Sequence, residues 1–158
     1  MTGAVTPTAV VYRTALVVVV LDQLSKAWAS ANLQPGVVSP LLPGLLQLRL
    51  VFNTGAAFSL LTGNALLLGL VSAAVAVGLV VWIQTSGPLR PWQATGLGLL
   101  LGGAIGNGID RWRLGRVVDL IEAVPVSFPV FNLADVAINL AVLCLVIDLW
   151  RGHGRAAR

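Results

Sequence analysis

Four long apolar runs, separated by short polar stretches, set the plan of this 158-residue chain. The first covers residues 10–31 and the second 64–84; no charged residue occurs between Arg49 and Arg90. A third covers 93–109 and a fourth 132–150. Each is close to the roughly 20 residues that cross a hydrocarbon core of about 30 Å as a helix. In the third run Gly98, Gly102 and Gly106 recur at every fourth position with Gly103 beside them. That spacing predicts a groove for close helix packing rather than a substrate channel. A cleaved signal peptide ending at Ala29-Ser30-Ala31 is disfavoured for the first run, because Asp22 and Lys26 intervene before the small residues.

Residues 32–63 carry a different rhythm. Pro35-Gly36 and Pro43-Gly44 mark turns, and Leu46-Gln47-Leu48-Arg49-Leu50 alternates strictly. Asn53-Thr54-Gly55 reads as another turn, followed by the short apolar run 56–61. The pattern predicts a small β-hairpin or curved sheet on the membrane surface, with an apolar face able to hold an extended peptide. The fold class is therefore an all-α membrane protein. It has four transmembrane helices and a β-cradle in the first extramembrane loop, and residues 1–158 form one domain.

Composition sharpens this picture. Charged residues make up 10% of the chain, against about 25% in a soluble domain. The net charge of +4 could point to nucleic acid. The basic residues instead sit at segment ends, with Arg151, Arg155 and Arg158 at the C-terminus, as headgroup anchors do. Five of them (Arg13, Arg90, Arg151, Arg155, Arg158) face five on the other side (Lys26, Arg49, Arg111, Arg113, Arg116), so charge alone leaves the orientation undecided. The single Cys144 permits no internal disulfide and reads as a buried packing residue. One cysteine and one histidine (His153) cannot build a zinc site of the usual kind. Hydrolytic chemistry would then rest on Asp, Glu, Ser, Lys or Asn.

Residues 107–139 hold four of the six acids: Asp110, Asp119, Glu122 and Asp135. Carboxylates crowded at a membrane boundary are costly and mark a functional site by default. Asn107 and Asp110 lie i, i+3 where the third helix emerges, with Arg111 next. Asp135 opens the fourth helix behind Asn132, and Asn139 follows one turn deeper on the same face. If helices three and four are neighbours, and Pro125 and Pro129 shape a returning loop, Asp119 and Asp135 come face to face. Two such carboxylates share a proton. One serves as base on a water while the other polarises a carbonyl, with no metal or covalent nucleophile.

Plainer readings exist for each residue alone. Asn132-x-x-Asp135 is a helix cap with an acid in the first turn; Asp110–Arg111 and Arg116–Asp119 are candidate interfacial ion pairs. Asp22 and Lys26, at i, i+4, pair on one helix face, either anchoring the helix end or serving the site. The concentration of acids together with Asn107, Asn132 and Asn139 favours a site. A proton-coupled transporter would step its acids across the membrane, yet only Asp148 lies at the far end. A non-catalytic assembly subunit leaves the paired aspartates unexplained. A GxGD-type intramembrane protease fits poorly, since Gly106-Asn107-Gly108-Ile109-Asp110 has one residue too many.

Five blocks then match one family in order and spacing across nearly the whole chain: Asp22-Gln23-Leu24-Ser25-Lys26, Phe52-Asn53-Thr54-Gly55-Ala56-Ala57-Phe58-Ser59, Gly106-Asn107-Gly108-Ile109-Asp110-Arg111, Val117-Val118-Asp119 and Phe131-Asn132-Leu133-Ala134-Asp135. The chain resembles the lipoprotein signal peptidases, the type II signal peptidases of bacteria. The resemblance implies an aspartyl endopeptidase of the inner membrane, with both termini cytoplasmic and its site near the outer face. It implies catalytic roles for Asp119 and Asp135, and substrate-side roles for Asn53, Asn107, Arg111 and Asn132. Asp22, Lys26, Asp110, Gly55 and Asn139 would be supporting. The implied substrate is a prolipoprotein carrying diacylglycerol on its lipobox cysteine, cut just before that cysteine. No cofactor is implied, and the expected state is a monomer among membrane lipids. Glu122 matches no block and reads as a solvated loop residue.

Overall fold

Helix α1 (Pro7–Asn32) begins where Thr6 accepts a hydrogen bond from the Ala9 amide and Pro7 takes the first helical position. The computed structural model describes residues 6–55 and 63–156, so the apolar run 56–61 lies outside the described residues. Strands β1 (Val38–Leu42) and β2 (Leu46–Asn53) follow. Then come α2 (Ala65–Thr85), α3 (Pro91–Leu114), β3 (Val117–Ala123) and α4 (Leu133–Ala156). Among the described residues, α1, α2 and residues Leu133–Arg151 of α4 are long and apolar enough to cross a membrane.

Helix α3 is less apolar because it stands in the middle, packed against α1, α2 and α4. It buries glycines, alanines and leucines against other helices. Its glycines are sorted by neighbour. A Cβ at Gly98 would lie 2.6 Å from the Val11 carbonyl oxygen, and one at Gly102 would lie 2.6 Å from Val18 Cβ. Both belong to the α1 face, and Gly106 continues it, where a Cβ would meet an Asp22 carboxylate oxygen at 2.6 Å. Gly96 and Gly103 instead meet Cys144 and Ile138 on α4, and Gly108 meets Ser72 on α2. The four-residue glycine repeat is thus a packing face, as its spacing predicts.

Two expectations are corrected. The third helix does not end near Ile109 but continues to Leu114. It stops where Gly115 adopts φ 67° and its amide returns to the Arg111 carbonyl, a left-handed cap that glycine takes without strain. Asp110 and Arg111 therefore lie on helix, not beyond it.

The sheet is also not confined to the first loop. β3, from the segment expected to be a returning loop, pairs antiparallel with β2 to give the order β1-β2-β3. Glu122 accordingly lies on a strand, opposite Gln47. Gln47 Nε2 donates to it at 2.7 Å and Arg49 Nη1 lies at 2.9 Å. The Gln47 bond, with Arg49 adding to it, holds this carboxyl below its ordinary range.

The sheet core is Leu50, Val118 and Leu120 against Ala29 of α1. Alternation along β3 sends Asp119 to the opposite face from Val118 and Leu120. On the far side of β3, Phe131 exchanges backbone hydrogen bonds with Ile121 at 2.9 Å each way. That bridge brings the start of α4 beside Asp119.

Candidate active site

Asn132 joins the two aspartates. Its Nδ2 donates to Asp119 Oδ1 at 2.7 Å, while its own amide donates to Asp135 Oδ2 at 3.2 Å. Asn132 Oδ1 in turn accepts from the Asp135 amide at 3.0 Å. The helix-cap reading of Asn132-x-x-Asp135 therefore holds, and the cap is what fixes one carboxylate relative to the other. Asn107 completes the frame. Its Nδ2 donates to Asp135 Oδ1 at 2.8 Å, and its Oδ1 accepts from Asn132 Nδ2 at 3.1 Å.

Asn53, at the end of β2, donates from Nδ2 to Asp119 Oδ2 at 3.1 Å. Its Oδ1 accepts from the Gly55 amide at 2.9 Å, so the turn fixes which end of this amide faces the carboxylate. Arg111 reaches the Gly55 carbonyl at 3.3 Å, tying α3 to the same turn, and does not pair with Asp110. Nor does Arg116 pair with Asp119; its guanidinium lies 3.8 Å above the Phe52 ring.

Beneath this layer sits a second, fully buried one. Lys26 Nζ lies 2.8 Å from Asp22 Oδ2, 3.1 Å from Asp110 Oδ2 and 2.9 Å from Asn107 Oδ1. All three ammonium protons thus have acceptors. Asp22 also accepts from the Ala134 amide at 3.0 Å and Asp110 from the Val118 amide at 3.0 Å. The Asp22–Lys26 pair is therefore not an interfacial anchor. It ties α1, α3, α4 and β3 together directly under the site. Gln23 was not singled out from sequence, yet its Nε2 meets Asp110 Oδ1 at 3.0 Å and the Gly106 carbonyl at 3.2 Å. The signal was present: a third polar side chain beside Asp22 in an apolar run.

Asp119 and Asp135 line one cavity of about 790 Å³, shared with Asn53, Gly55, Asn107, Arg111 and Asn139. That volume suits a ligand rather than a proton path. Its remaining wall is apolar and includes Phe128, Val130, Phe131 and Leu140. At the other end of the bundle Asp148 pairs with Arg90, well away from this cavity in the chain's architecture.

A family model described as signal peptidase II matches residues 14–151. The chain belongs to the signal peptidase II family. It is 50% identical over 150 residues to a lipoprotein signal peptidase of Parasynechococcus marenigrum, covering 95% of this chain and 94% of that one. A lipoprotein signal peptidase of Synechococcus sp. strain RCC307 is 59% identical over 132 residues, covering 83% and 87%. A bacterial membrane enzyme solved in meso at 2.3 Å superposes with a TM-score of 0.85 at 27% identity, covering 92% of this chain and 90% of that chain. Members of the signal peptidase II family are aspartic proteases of lipoprotein precursors.

In this member of the family the electrostatics fit paired carboxylates. Asp119 is only 2% exposed. Burial first, and the charge of Asp135 second, push its carboxyl up to about 6, against the hydrogen bonds from Asn53 and Asn132. A raised value in the folded state means that the folded protein binds the proton more tightly than the unfolded chain. Its contribution to stability is therefore complete below an ordinary value near 3.8 and lost as pH rises through about 6. The melting temperature in detergent should fall between pH 4 and pH 7, and Asp119→Asn should flatten that slope. An unchanged slope in the variant would assign the titration to another group.

Proposed function

We propose that the protein removes the signal peptide from prolipoproteins whose cysteine carries a diacylglyceryl group, hydrolysing the peptide bond just before that cysteine. The observation that carries this reading is the joining of Asp119 and Asp135 through Asn132 at the wall of a ligand-sized cavity. One carboxylate, ionised, takes a proton from a water whose oxygen bonds to the scissile carbonyl carbon. The other, protonated, donates to the carbonyl oxygen. Collapse of the tetrahedral diol breaks the C–N bond, and the departing nitrogen takes a proton from the pair. Asn53, Asn107 and Asn132 hold the two carboxylates in register, and Arg111 with the Gly55 turn frames the substrate backbone.

We read α3 as a fourth span, less apolar because its neighbours shield it from lipid. Four spans put both termini on one side, the cytoplasmic side of the inner membrane, and the sheet with the site at the outer face. The apolar cavity wall lies beside α4, so a cysteine anchored in the bilayer meets the aspartates at its own depth. The protein acts as a monomer within the lipid. Proton transport is the weaker reading, because the acids of the site gather at one end of the bundle.

The test is cleavage by purified protein in detergent of two precursors that differ only in the diacylglyceryl group. The lipidated form should be cut before its cysteine, as read by mass spectrometry, and the unlipidated form left intact. Equal cleavage of both would refute the substrate assignment.

A further inference from the structure

Asn139 lies within the span of α4, one turn beyond Asp135, and is exposed on the wall of the same cavity. Its Nδ2 donates once, to the Asp135 carbonyl at 2.9 Å. The second N–H and the side-chain oxygen have no other partner among the described residues. Around them the cavity is lined by Val136, Ile138 and Leu140. An amide left half-satisfied on an apolar stretch of cavity wall keeps a donor and an acceptor free for a ligand. Packing does not require it, since the position is exposed.

We propose that Asn139 recognises the glyceryl ester groups of the lipidated cysteine, and so makes the cavity selective for an acylated glycerol rather than for any greasy anchor. This rests on the peptidase reading above. Four residues of helix place Asn139 about 6 Å deeper than Asp135. With the bond before the cysteine held at the aspartates, the thioether and glyceryl carbons carry the ester carbonyls a few bonds further, a reach of the same order. The free N–H then donates to an ester carbonyl. The hydrocarbon tails continue along the apolar wall and out into the bilayer. Asn139 contacts neither the scissile bond nor the carboxylates, so its effect falls on selection rather than on proton transfer.

The experiment compares two precursors, one with diacylglyceryl cysteine and one with the dialkyl ether analogue, which keeps both chains and lacks the carbonyls. Wild-type protein should cut the ester form with kcat/KM about five- to tenfold higher, the worth of one hydrogen bond in a dry site. Asn139→Leu should bring the ratio close to one by slowing the ester form alone, mainly through KM, while Asn139→Ser, which keeps a donor, should retain part of it. A ratio in Asn139→Leu equal to that of wild type would overturn the inference. So would an equal loss on both substrates, which would mark Asn139 as a support for Asp135 through the helix backbone. If wild-type protein cuts neither lipidated precursor, the peptidase reading itself fails and takes this inference with it.

Discussion

Asp119→Asn and Asp135→Asn should each lower turnover of lipidated prolipoprotein by about 10³-fold or more, with substrate affinity changed only a few-fold. An amide cannot take a proton from water or lend one to a carbonyl, and general acid–base roles of this kind are worth roughly 10²–10⁴-fold each. Shape is nearly preserved, so the cavity should still bind. The two variants need not behave alike in stability. Asp119 accepts from Asn53 at one oxygen and from Asn132 at the other, so an amide there sets a donor against a donor. Asp135 accepts from Asn107 and from the Asn132 amide, with the same consequence for the cap of α4. Single-turnover kinetics alongside an affinity measurement separates lost chemistry from lost binding. Wild-type turnover in either variant would remove that residue from the catalytic pair.

Lys26→Met should cost more in folding than any other single change in the site. Lys26 is 3% exposed and Asp22 fully buried, and the ammonium is the counter-charge for both Asp22 and Asp110. Removing one partner of a buried ionic set leaves the others uncompensated, at a cost of about 3–5 kcal/mol. For a chain of this size that is a fall on the order of 10 °C in melting temperature. Activity should go as well. Lys26 also donates to Asn107 Oδ1, which keeps the Asn107 amide turned with its Nδ2 toward Asp135. Adding Asp22→Asn to Lys26→Met should recover part of the stability, because one orphaned charge is gone, without restoring turnover. A single variant melting within a degree or two of wild type would show that the buried cluster is not a structural tie.

Several features of the site were readable along the chain because their causes are local. Asn132 and Asp135 are three residues apart, so a cap could be expected from the pair alone. Gly98, Gly102 and Gly106 share a face by helical periodicity whatever they pack against. Asp22 and Lys26 share one for the same reason, but their depth did not follow from it. What made them buried was Asp110 arriving from α3, 84 residues after Lys26, a partner that no spacing reveals. Glu122 is the same case. Taken alone it looked solvated, and only the pairing of β3 with β2 supplied Gln47 and Arg49. The end of α3 is set by a local signal, Gly115, and not by the polar pair Asp110 and Arg111 one turn before it.

The sequence by itself determined where the apolar helices lie, which polar residues are too costly to be incidental, and the chemical class that paired aspartates support in a chain with one histidine and one cysteine. Those follow from transfer energies and short-range geometry, which act residue by residue. Only the tertiary structure decided that Asp119 and Asp135 are joined through one asparagine. That required β3 to pair with β2, Phe131 to bridge back to Ile121, and Lys26 to fix the amide of Asn107. Hydrogen bonds between distant segments form only after the chain has closed on itself, and local pattern does not encode their partners.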